Sequence, residues 1–87
     1  MLNIESEGFV FKYEEPGNHN KAYTKPYQNH PKGYSNRMID VIYNNKSSWV
    51  LICQGDNETP FSDWETMFAG QIKNQQDFKK TLDMVIL

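Results

Sequence analysis

Apolar and polar positions along the chain sort into a few short runs with two different periods. The densest is Arg37 to Gln54, RMIDVIYNNKSSWVLICQ. Its first half alternates Ile39, Val41 and Tyr43 with Met38, Asp40 and Ile42, so one face is wholly apolar and the other carries a single charge, the pattern of a strand with one buried face. Its second half, Trp49-Val50-Leu51-Ile52-Cys53, is apolar at every position; it is too short for a buried helix and predicts a strand covered on both faces. Between them Asn44-Asn45-Lys46-Ser47 supplies two residues that tolerate positive φ, which predicts a hairpin at the centre of the fold. Upstream, Gly8 to Glu15 reads GFVFKYEE, with Phe9, Phe11 and Tyr13 on one side, a half-buried strand closed by Pro16-Gly17. Residues 1–7 are short and polar apart from Leu2 and Ile4, and either extend that strand or fray.

Downstream the period is ambiguous. Ser62-Asp63-Trp64-Glu65 fits a capping box, and Phe61, Trp64, Phe68 and Ile72 fall at helical spacing with Gly70 placed to end the turn, so a short helix is the first reading. Trp64, Thr66 and Phe68 also alternate with Glu65 and Met67, which is the signature of a further strand. From Asn74 the pattern is helical. Asn74 can cap the amides of Gln76 and Asp77, Asp77 lies in the first turn, and Phe78, Leu82, Val85 and Ile86 form one stripe. The elements predict a single α+β domain over residues 1–87: a three- or four-stranded antiparallel sheet, a short helix or extra strand at 62–70, and a C-terminal helix packed on the face carrying Phe9, Phe11, Ile39 and Val41.

Composition changes this picture in one segment. Pro16 to Asn36 holds three prolines, four asparagines, two histidines and three tyrosines and shows no periodicity, which predicts a long irregular loop, functional or disordered. Between Pro16 and Arg37 lie Lys21, Lys25, Lys32 and Arg37 and no acid; of the chain's 9 bases and 11 acids this leaves 9 − 4 = 5 bases against all 11 acids elsewhere. The net charge of −2 therefore conceals a basic loop on an acidic body, and gives no global argument for nucleic acid or membrane. A single cysteine forms no internal disulfide and no run approaches the ~20 apolar residues of a membrane span, so a cytoplasmic protein is expected. The sequons at Asn45 and Asn57 are then expected to carry no glycan.

Catalytic constellations are not evident. Cys53 lies in the most apolar strand, where a thiol behaves as a small hydrophobe. His19 and His30 stand in the irregular segment without metal-ligand spacing. Glu14 and Glu15 are adjacent and so project to opposite faces of a strand, the wrong arrangement for two carboxylates flanking one bond. The glycines are isolated, and none forms a phosphate-cradling loop. No enzyme, metal or cofactor is expected.

Two stretches suggest binding. Asp56, Glu58, Phe61, Asp63, Trp64 and Glu65 combine anions with aromatic anchors, a mixture that suits a basic groove on a protein partner. Lys21, Tyr23, Lys25, Tyr27, Lys32, Tyr34 and Arg37 interleave cations with rings, a mixture that would contact phosphates and stack on unpaired bases. The order of a strand pair, the segment Trp64-Glu65-Thr66-Met67-Phe68 and a capped C-terminal helix resembles small phage and prophage proteins, and the size, acidity and Asn content are similar to phage inhibitors of host defence, anti-CRISPR proteins included. The resemblance covers residues 38–87 and carries over no functional residue. It implies a stoichiometric inhibitor, in the host cytoplasm, that occupies the nucleic-acid site of a host protein. The alternative is a single-stranded nucleic-acid-binding module that uses the basic, Tyr-rich segment.

Overall fold

The computed structural model describes residues 1–28, 30–33 and 36–86. It is an α+β fold in which an antiparallel sheet of five strands, in the spatial order β1-β2-β3-β4-β5, carries one helix on one face. The strands are β1 (Val10–Glu14), β2 (Asn20–Pro26), β3 (Arg37–Asn44), β4 (Trp49–Asp56) and β5 (Glu65–Gln71), and the helix is α1 (Gln75–Val85). Each strand pairs with its sequence neighbour, so the sheet is a simple meander.

The sheet has one strand more than the four of the larger expectation, and two of its strands lie outside the three that the pattern predicts outright. The first is β2, from the middle of the segment expected to be irregular over 16–36. Lys21, Tyr23 and Lys25 alternate with Ala22 and Thr24, and the odd positions face Tyr43, Val41 and Ile39 of β3. This alternation is hard to read because only Tyr23 is a large hydrophobe; sheet pairing on both sides supplies what propensity does not. The second is β5. Of the two readings of 62–70, the strand forms and the short helix does not: a 3-10 turn, Phe61–Asp63, leads into it. Pairing of Glu65–Gln71 with β4 ties the inner row of the segment's backbone groups to the sheet, whereas a short isolated helix would leave its first four amides and last four carbonyls without helical partners.

The central hairpin forms as expected, with Val41 opposite Ile52 and Tyr43 opposite Val50. Its turn is built differently from the expectation. The left-handed residue is Ser48, at φ 63°, while Asn44 acts through its side chain, whose Oδ1 accepts the amides of Lys46 and Ser47 at 3.0 Å each. An Asx-type turn of this kind holds the connection by hydrogen bonding.

One face of the sheet is the core. Ile39, Val41, Tyr43, Val50 and Ile52 pack with Phe78 and Leu82 of α1 and with Phe9, Tyr23, Tyr27 and Ile72, while Phe68, Val85 and Ile86 close its margin. Asn74 caps α1 by accepting the Asp77 amide at 2.8 Å. The N-terminal residues neither fray nor extend β1. Leu2 and Ile4 are buried in the core, the Leu2 amide donates to the Tyr43 hydroxyl at 3.1 Å, and the Asn3 backbone exchanges two hydrogen bonds with the Gln75 side chain.

The opposite face carries no helix and is only partly covered. The expectation that Trp49–Cys53 is buried on both sides is therefore corrected: Leu51 is half-buried and Trp49 is 48% exposed. β1 is also less buried than its sequence suggests. All its residues are exposed, and a bulge between Phe11 and Tyr13 breaks the alternation, leaving Phe11 against Tyr23 on the core side and turning Lys12 to the open face.

Candidate functional site

The acidic and aromatic residues expected to form a partner surface do come together. Asp56 ends β4, Glu65 begins β5, and Glu58, Phe61, Asp63 and Trp64 lie on the connection between them. The connection is internally tied. The Asp56 carboxylate accepts the Glu58 amide at 2.8 Å and the Asp56 carbonyl accepts from the Thr59 hydroxyl at 3.0 Å. The Trp64 indole N–H donates to the Thr59 carbonyl at 3.3 Å, and the Phe61 ring lies 5.2 Å from that of Trp64. Phe61 remains 41% exposed, and Glu58, Asp63 and Glu65 on the same connection are exposed. From Ser47 to Ile72 the sequence contains no Lys, Arg or His, so the whole β4–β5 hairpin presents negative charge alone.

Trp64 does not project into solvent. Its ring lies on Gly55, where a Cβ would collide with Cγ, Cδ1 and Cδ2 of the indole. Gly55 faces the open side of the sheet opposite Met38, so its missing side chain is what lets the indole lie flat over β4. The result is an aromatic roof over part of the open face.

Beneath that roof is a charge pair that the sequence reading passed over. Asp40, in the central strand, is 2% exposed, and its Oδ2 accepts from Lys12 Nζ at 2.8 Å. The β1 bulge re-aims Lys12 across β2, whose open-face residues are the small Ala22 and Thr24; re-aiming a side chain is a common use of bulges. The same ammonium stands 5.6 Å from the centroid of the Trp64 ring, a cation–π contact. Asp40 Oδ1 is buried and has no hydrogen-bond partner among the described residues. Cys53 is the cross-strand neighbour of Asp40. Burial first, and then the Asp40 charge, push its thiol pKa up, and a contact with the Thr66 hydroxyl at 4.0 Å pulls it down. Burial fits the expected inert, structural cysteine.

The lone charge of Asp40 in an apolar strand was legible in the sequence. Its cation was not, because a bulge at Lys12 has no local signature.

The basic, Tyr-rich set is dispersed. Tyr23 and Tyr27 are buried in the core, and burial, reinforced by Glu5, raises the Tyr23 pKa. Tyr27 meets His30 edge-on at 4.9 Å. Lys25 Nζ donates to the Glu7 carbonyl at 3.1 Å and sits 4.5 Å from the Phe9 ring centroid. Arg37 Nε donates to Gln54 Oε1 at 3.2 Å. Lys21 is half-buried on β2 and Lys32 is exposed, while Tyr34 lies outside the described residues. His19, just before β2, is exposed and has φ 65°. Among the described residues no group of His, Cys, Asp and Glu could hold a metal ion, and no helix is long and apolar enough to cross a membrane.

No protein-family model, curated protein or solved structure matches the chain.

Proposed function

We propose that the protein acts by binding rather than by catalysis, as a stoichiometric inhibitor of the phage type whose acidic, aromatic β4–β5 connection docks on a basic, nucleic-acid-binding surface of a host protein. The observation that carries this reading is the base-free hairpin with Phe61 exposed among Glu58, Asp63 and Glu65. An exposed ring with exposed carboxylates on neighbouring residues of the same connection offers an apolar anchor together with a field that steers a basic partner.

The rival class, a single-stranded nucleic-acid module, is less well supported. Stacking requires rings that bases can reach, and Tyr23 and Tyr27 are core residues. Lys25 and Arg37 are engaged with Glu7, Phe9 and Gln54, so among the described residues two of the four cations are held by other groups.

The test replaces Asp56, Glu58, Asp63 and Glu65 by their amides and measures association with a partner recovered by affinity capture, at low and at physiological salt. Steering acts on the on-rate and is screened over about 8 Å at physiological ionic strength. The variant is expected to associate more slowly at low salt and to lose most of its salt dependence. An unchanged on-rate at low salt would overturn the reading.

A further inference from the structure

The open sheet face holds a carboxylate that its own lysine serves incompletely. Lys12 bonds Oδ2 of Asp40, and the buried Oδ1 has no donor among the described residues. An ammonium is a compact point charge, whereas a guanidinium presents parallel N–H groups that match both oxygens of a carboxylate and has a plane that stacks on an aromatic ring. The groups around Lys12 Nζ are a carboxylate at 2.8 Å and the Trp64 ring at 5.6 Å, which is the pair a guanidinium would use. Lys12 comes from an exposed edge strand, its side chain is 41% exposed, and its withdrawal would open the carboxylate from the solvent side.

We propose that Asp40 and Trp64 form a receptor for an arginine side chain of the partner, and that Lys12 occupies this receptor in the free protein. The partner chemistry follows from charge: the receptor is roofed by the base-free β4–β5 hairpin, so a basic protein surface is the complementary occupant. The inference rests on the binding reading above for the source of the arginine, and not for the chemistry of the receptor. On docking, the incoming guanidinium takes both Asp40 oxygens and stacks on Trp64, and the Lys12 ammonium is released to water.

The receptor is tested with a small probe, N-acetyl-arginine methylamide, followed by NMR at the Trp64 indole N–H and the Asp40 amide. In Lys12→Ala the probe is expected to give saturable shifts with a dissociation constant on the order of millimolar, as suits a ligand of this size. The matching lysine probe should bind more weakly, and Lys12→Ala/Asp40→Asn should not respond. No saturable shift in folded Lys12→Ala, or an equal response when Asp40 is Asn, would overturn the proposal. Lys12→Arg keeps it falsifiable if Lys12→Ala does not fold. A guanidinium supplied in cis should raise the urea midpoint above wild type, and a lower midpoint would overturn it. Because the probe is not a protein, failure here leaves the amide-substitution result on the β4–β5 connection standing, and failure there leaves the receptor standing.

Discussion

The Lys12–Asp40 pair should respond unequally to removal of its two members. Asp40 is 2% exposed on the central strand and Lys12 is 41% exposed on an edge. Removing one partner of a fully buried pair costs about 3–5 kcal/mol, because an uncompensated charge is left behind. Solvent screens the Lys12 end, so Lys12→Met, which keeps the stem, should cost about 2–3 kcal/mol. Asp40→Asn strands no buried charge and lets the ammonium turn to water; it should cost about 1 kcal/mol, the net worth of one hydrogen bond. Lys12→Met/Asp40→Leu replaces the pair by apolar groups and should recover to within about 1 kcal/mol of wild type. A domain of this length has roughly 4–13 kcal/mol of stability in all, so each variant should remain folded. Urea titrations followed by circular dichroism, with slopes checked for constancy, supply the comparison. Asp40→Asn costing as much as Lys12→Met, or the double replacement costing as much as Lys12→Met alone, would refute this.

Other expectations follow from the two unequal faces of the sheet. Ile52→Ala, on the helix-covered face and fully buried, should cost about 3–4 kcal/mol, whereas Leu51→Ala on the half-covered face should cost about 1–2 kcal/mol; equal losses in denaturant titrations would mean both faces are sealed. Gly55→Ala should drive the Trp64 ring off β4, at a cost of about 1–3 kcal/mol, and shift indole emission to longer wavelength; an unshifted spectrum would contradict the packing. The Cys53 thiol has a raised folded-state pKa because of burial. The folded state therefore holds its proton over a window in which the unfolded chain has lost it, and stability should decline as pH rises from the ordinary thiol range upward. In Cys53→Ala that part of the decline should vanish, and thiol-directed alkylation of the native protein at pH 8 should be slow until urea is added.

How legible the fold was depended on how much each element relied on its own residues. The β3–β4 hairpin and α1 announced themselves because each carries a full apolar face: Ile39, Val41 and Tyr43 in one case, Phe78 and Leu82 in the other. β2 did not. Its sequence is polar around Tyr23, and it is a strand because β1 and β3 pair with it on either side. The segment after Ser62 satisfies helical and extended periods equally, and the choice was made by the free edge of β4, a tertiary fact with no local trace. The acidic connection was readable as a candidate because its residues are contiguous. The Lys12–Asp40–Trp64 cluster was not, since it joins three distant parts of the chain through a bulge and a glycine that admits an indole. For the basic set, charge and aromatic counts do not say which rings the core will take, and Tyr23 and Tyr27 are among those it takes.

The most direct test of a docking role for the β4–β5 connection is competition. The protein, immobilised, captures its partner from host extract, and a single-stranded or duplex oligonucleotide is then titrated in. The account predicts that oligonucleotide releases the captured protein, that the Asp56/Glu58/Asp63/Glu65 amide variant captures little of it, and that the immobilised protein alone binds no oligonucleotide at micromolar concentration. Equal capture by wild type and amide variant, or direct oligonucleotide binding by the protein itself, would contradict it.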